Sequence, residues 1–119
     1  MRSGWVSIHR KLASSAIYRD SESVHMWVHL LILANHEDNQ FVFCGKPVVV
    51  KRGQVITGRK SLSSATGISE SKIQRILKKL EDCHMIEQQS SNKNRLITIT
   101  KYDEYQGTEQ QVNNKKEVK

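Results

Sequence analysis

The stretch TGRKSLSSATGISESKIQRILKKLEDCHMI, residues 57–86, reads as a short helix, a tight turn and a longer helix. Leu62 and Ala65 give the first helix its apolar contacts. Gly67 supplies the corner after it, since a residue without Cβ takes positive φ at no steric cost. Ile68 fills the angle between the helices, and Ser69 is placed to cap the second by accepting a hydrogen bond from an unpaired first-turn amide. Ile73, Ile76, Leu77 and Leu80 then recur at the i, i+3, i+4, i+7 spacing of one buried face. On a helical wheel Ser71, Arg75 and Lys78 fall opposite that face, with Lys72, Gln74 and Lys79 on its flanks, so the solvent side is polar and cationic.

The chain's excess charge lies in this same region. Formal net charge is +7, yet residues 1–40 carry four basic and four acidic side chains, and residues 81–119 carry six basic against seven acidic. Between them, Lys46, Lys51, Arg52, Arg59, Lys60, Lys72, Arg75, Lys78 and Lys79 are opposed only by Glu70, a surplus of +8. Cations concentrated on a folded unit attract a polyanion, because phosphate contacts release condensed counterions. A solvated helix face is the alternative use of such residues. The helix–turn–helix spacing, the charge, and the serines and Gln74 near the helix start together favour nucleic acid.

Downstream, 85–89 and 96–100 read as two strands, the second alternating Ile97 and Ile99 with Thr98 and Thr100. Their connector, SSNKNR at 90–95, carries Lys93 and Arg95, which a hairpin beside a reading helix would bring to the DNA backbone. The expected DNA contacts are therefore Arg59, Lys60, Ser69, Ser71, Lys72, Gln74, Arg75, Lys78, Lys79, Lys93 and Arg95. Arg75 is the candidate base reader, since a guanidinium can donate two parallel hydrogen bonds to a guanine edge.

Upstream, GWVSIHRKLASSAIYRD (4–20) predicts an extended lead-in and a short helical turn. A long apolar helix follows, capped by Ser21 or Ser23 and buried through Val24, Trp27, Val28, Leu31, Ile32 and Ala34, ending in the polar run 35–39. Strand candidates lie at 41–43 and 48–50 around the turn Cys44-Gly45-Lys46-Pro47, and at 54–57 after Lys51-Arg52-Gly53.

At 119 residues with 37% hydrophobic content, the chain is long enough for one core and no second is expected. Residues 1–106 form the predicted domain, and 107–119 (GTEQQVNNKKEVK) predict a disordered polar tail or a cut linker. The apolar run 27–34 is too short to span a bilayer and the N-terminus lacks signal-peptide architecture, so a cytoplasmic protein is expected. Cys44 and Cys83 stand apart and predict two reduced thiols.

No nucleophile elbow, phosphate-cradling glycine loop or paired carboxylates are recognisable, and neither Lys51-Arg52-Gly53 nor Thr57-Gly58-Arg59-Lys60 has P-loop spacing. The expectation is a non-enzyme without cofactor or metal. His25 and His29 are spaced i, i+4, but no carboxylate or cysteine joins them and His36 to complete a ligand set. Trp5, Trp27, Tyr102 and Tyr105 are expected in core and rim packing, since none lies in an aromatic-cationic groove.

LSSATGISESKIQRILKKLEDCHMIE resembles the winged helix-turn-helix of bacterial regulators. With GWVSIHRKL, HLLILANHED, VVVKRGQVITGRKSLSSATGIS and LITITKYDEYQ, the chain more specifically resembles the N-terminal winged-helix domain of phage replisome-organiser and DnaD-like primosomal proteins over most of 4–106. The fold class implied is mainly α with a small β-hairpin, a winged helix-turn-helix. The role implied is double-stranded DNA binding in replication initiation or primosome assembly of a phage or mobile element, with a helicase or helicase loader as possible partner. A transcriptional regulator of the same fold is the alternative. So is an interaction module forming a homo-oligomer through the apolar first helix with Trp5 and Trp27. Two departures stand out: His84 occupies the place where such sequences usually have glycine before the hairpin, and the chain stops at Lys119, where those replication proteins continue into a second helical domain.

Overall fold

Asp20 begins the long helix α1 (Ser21–Leu33): its carboxylate accepts from the Glu22 amide at 3.3 Å and from the Ser23 hydroxyl at 2.6 Å. The cap is thus Asp20 and neither serine, because Ser23 is buried and spends its hydroxyl as a donor to the capping carboxylate. The computed structural model describes residues 4–43, 45–90 and 94–106. Before α1, residues 5–9 have no regular structure, with His9 extended, and Arg10–Ser14 form the short helical turn that the sequence predicts, as a 3-10 turn. Ser23, Met26, Trp27, Leu30 and Leu31 form the buried side of α1, while Ile32, expected inside, is half-exposed. The segment VHMWVHLLIL is apolar on nearly every side, so period alone does not fix which stripe turns inward.

Strands β1 (Asn39–Phe43) and β2 (Lys46–Val50) pair antiparallel with Phe41 opposite Val48, and Gly45 in the turn takes φ 74°. Strand β3 (Gln54–Thr57) leads into α2 (Arg59–Thr66) and α3 (Glu70–Asp82), and β4 (Ile86–Ser90), β5 (Arg95–Ile99) and the short α4 (Tyr102–Gln106) complete the order. β5 lies between β3 and β4, antiparallel to both, with Arg95 opposite Thr57 on one side and Ser90 on the other.

This architecture corrects the expected fold class. In place of a mainly α winged helix-turn-helix with one small hairpin, the chain is α+β: four α-helices with five strands in two small antiparallel sheets, at 44% helix and 24% strand of the described residues. The reason lies in the run 48–57, where Val48, Val49, Val50, Val55 and Ile56 favour extended backbone. β5 also has two hydrogen-bonding edges, and β3 satisfies the one that β4 leaves open.

The two-helix segment itself follows its sequence closely. Gly67 ends α2 at φ 79°, Ile68 is buried behind it, and the Ser69 hydroxyl accepts from the Lys72 amide at 3.4 Å. The buried residues of α3 are Ile73, Ile76, Leu77 and Leu80. They meet Leu30 and Leu31 of α1, Leu62 of α2, and Ile86, Ile97 and Ile99 of the sheet in one core. Ala65, expected as an inner contact, is exposed.

A joint at the end of α1 holds the two sheets to the helices. The buried Asn35 donates its backbone N–H to the Gln54 carbonyl at 3.0 Å, accepts the Gly53 N–H at 2.8 Å, and sends its side-chain amide to the Val50 carbonyl at 3.4 Å. Arg52 lies 5.1 Å above the Tyr102 ring and pairs with Asp103 at 2.6 Å, while the Tyr102 hydroxyl meets His36 Nδ1 at 2.9 Å. Gln106, on α4, donates to the Ser7 carbonyl and accepts the Ser7 N–H, both at 2.8 Å. α4 was not foreseen: at five residues it is too short for a periodic signal.

After α3 the His84 amide donates to the Glu81 carbonyl and the Met85 amide to the Leu80 carbonyl, both at 2.9 Å, a Schellman ending with His84 at the left-handed position, φ 61°. His84 thus takes a left-handed position that glycine usually fills. A non-glycine residue there stores about 1–2 kcal/mol, part of which glycine's larger unfolded-state freedom offsets. His84→Gly is expected to stabilise the chain by about 0.5–1 kcal/mol in urea unfolding. Equal or lower stability would show that the side chain supplies something the turn needs.

Candidate nucleic-acid interface

α3 rests on its buried stripe and is flanked by two different environments. On one side stands the start of α1: Lys72 Nζ lies 3.4 Å from Glu22 and Lys79 Nζ lies 3.5 Å from Asp20. With Arg75 and Ile76 these four residues line a shallow groove. The Asp20 carboxyl is held below its ordinary range, first by the Ser23 hydroxyl and further by the Lys79 charge. Two of the expected cations are therefore already engaged by acidic groups of their own chain. The pairs are solvent-exposed and each is worth at most about 1 kcal/mol, so a phosphate can displace them at small cost.

The opposite flank faces the three-stranded sheet. Arg95 donates through Nη1 to Gln88 Oε1 at 2.8 Å and through Nη2 to Gln74 Oε1. Gln88 in turn donates its side-chain amide to Glu81 Oε1 at 3.3 Å and its backbone N–H to Glu81 Oε2 at 3.4 Å. Burial lowers the pKa of Arg95, the nearby Arg59 charge lowers it further, and Glu81 opposes both. Arg95 remains cationic, since a guanidinium keeps its proton in proteins. Its position corrects one expectation: Arg95 is a half-buried bridge between sheet and helix, not a free side chain on a hairpin tip.

Between the flanks lies the outward face. Ser71, Arg75 and Lys78 are exposed there, as the wheel predicts, and Ser69 and Ser71 hydroxyls stand 3.4 Å apart at the helix start. Lys78 reaches Asp82 at 3.2 Å in an exposed i, i+4 pair, an interaction of only about 0.3–0.5 kcal/mol. Among the described residues Arg59, Lys60 and Arg75 have no ion-pair partner. Lys93 lies outside the described residues, as do Cys44 and the predicted tail at 107–119. What sequence reasoning missed is the division of labour among the cations, because the partners Asp20, Glu22 and Gln88 come from distant elements and leave no local pattern.

The other candidates fall elsewhere. His25 and His29 lie on α1, and burial, then the His25 charge, push the His29 pKa down. Among the described residues no three His, Cys, Asp or Glu side chains cluster as a metal would need. Trp27 is buried and meets Tyr105 edge-on at 5.8 Å, so it is not available to the interface that the apolar first helix suggested, whereas Trp5 is 89% exposed. No helix among the described residues is long and apolar enough to cross a membrane. Compared with protein-family models, curated proteins and solved structures, the chain matches none of them.

Proposed function

We propose that the chain binds double-stranded DNA through the outward face of α3. Ser71, Gln74 and Arg75 then turn toward base edges, and Arg59, Lys60 and Lys78 toward phosphates. The observation that carries this reading is that Arg59, Lys60 and Arg75, together on α2 and α3, make no ion pair among the described residues. An unpaired cation gains the full release of counterions from a phosphate, and the exposed pair that holds Lys78 is displaced at small cost. A 13-residue helix with an exposed polar face also has the form that a major groove admits.

The biological setting we assign is replication initiation or primosome assembly of a phage or mobile element, in the cytoplasm, with a helicase or its loader as protein partner. Support comes from the resemblance of the GW, ANH, RGQ, GRK and LITI segments to phage replisome-organiser and DnaD-like N-terminal domains. Asn35, Arg52, Gly53 and Gln54 of those segments meet at the joint below α1, so the resemblance draws on framework residues of this chain, while the charge bears on DNA.

Titrating a labelled random duplex over a salt series tests the reading. The logarithm of the association constant is expected to fall with log salt at a slope of about −3 to −5, as for a handful of phosphate contacts. A flat response, or no binding at low salt, overturns it. One observation favours a protein-contact role for a different surface: Val42 and Val49 are 68% and 48% exposed on the outer face of the β1–β2 hairpin, beside exposed Pro47. Concentration-dependent oligomers that persist after that face is made polar would remove this second reading.

A further inference from the structure

The hydrogen-bonded chain Glu81–Gln88–Arg95–Gln74 can run in only one direction. A carboxylate accepts and does not donate, and a guanidinium donates and does not accept. Glu81 therefore fixes the Gln88 amide with its NH2 inward and its oxygen toward Arg95. Arg95 likewise fixes Gln74 with its oxygen inward. Amide orientation, often ambiguous, is here dictated by the two charged members. The chain ends at Gln74 Nε2, an NH2 on an exposed residue of α3 with no partner among the described residues.

From this polarity we infer that Gln74 is a donor-only base reader, with Arg95 as the positioning residue that makes it so, and that it selects guanine over adenine in the major groove. The inference rests on the DNA-binding reading above. An unconstrained glutamine pairs best with adenine, donating to N7 and accepting from the N6 amine. Here the amide oxygen faces a guanidinium, whose charge repels a second donor. Guanine presents acceptors at both N7 and O6 and matches what remains. Partial burial strengthens the Arg95–Gln88 bond by lowering the local dielectric, and the guanidinium so held presents its other arm to Gln74 before DNA arrives. Arg59, close enough to perturb Arg95, adds positive potential on the same flank.

The test uses the full 119-residue chain and a randomised duplex library, followed by titration of the selected duplex and versions with guanine replaced by adenine at single positions. Wild type is expected to prefer guanine about tenfold at one position, the order of a single well-formed base contact. Arg95→Met leaves the Gln74 amide free to turn and is expected to bring that preference to within about twofold. Gln74→Ala does the same, and the double variant loses no more than either single one, since both act through one contact. Gln74→Glu, at an exposed helical position that tolerates the change, presents acceptors only and is expected to disfavour guanine even if Arg95→Met proves unstable. A guanine preference that survives Arg95→Met in a folded protein, or an adenine preference lost with Gln74→Ala, overturns the inference while leaving DNA binding intact. Failure of wild type to bind any duplex overturns both together.

Discussion

Gly53→Ala is expected to lower the unfolding free energy by about 3 kcal/mol or more, a larger effect than alanine at Gly4, Gly45 or Gly67, where the added Cβ meets nothing. Gly53 sits at φ 83° in the turn between β2 and β3, and a Cβ there would lie 2.8 Å from Tyr102 Cβ and 3.0 Å from its Cγ. Backbone strain contributes about 1–2 kcal/mol. The overlap adds to it, because Tyr102 cannot step aside without loosening its hydroxyl bond to His36 and the Arg52 guanidinium above its ring. The Gly53 amide and carbonyl are also both engaged, with Asn35 and Ile99. Urea unfolding of wild type and variant measures the loss. A decrease below about 1 kcal/mol would mean that the turn and α4 are not packed as described.

The second large effect concerns binding. Arg75→Glu with Lys78→Glu is expected to weaken duplex affinity on the order of 100-fold and to flatten the salt slope by about two units or more, since two attractive charges become repulsive at the centre of the proposed face. The same change at Lys46 and Lys51, which lie away from α3 at the two ends of β2's segment, is expected to cost far less. That control separates position from net charge. Equal losses from both pairs would reduce the proposed face to a general electrostatic attraction. Both variants alter exposed residues, so changes in thermal stability should stay small.

Legibility in the sequence followed the range of the forces involved. The two-helix segment was readable residue by residue, because the Gly67 corner, the Ser69 cap and the Ile73–Ile76–Leu77–Leu80 stripe are all local. β3 was readable as a strand, but its pairing with β5 was not, because nothing in 54–57 states which edge it joins. That missing pairing is why a two-stranded hairpin was expected where a three-stranded sheet exists. The cap of α1 was misread because serine and aspartate stand at adjacent positions and no local pattern ranks them. At the candidate site the outward residues Ser71, Arg75 and Lys78 were correctly placed on the exposed side of α3. The engagement of Lys72, Lys79, Gln74 and Arg95 by distant partners lay beyond any local pattern.

The register of Thr57 against Arg95 has a consequence for how such a protein can vary. The chain enters α2 just after Thr57 and returns from β4 at Arg95, so the segment carrying α2, α3 and β4 is a loop closed at its own neck. Its ends are fixed side by side by the sheet, whatever lies between them. Provided Leu62, Ile68, the four inward residues of α3 and Ile86 keep filling the core, the outward residues on that loop can be exchanged as a cassette without moving its two ends.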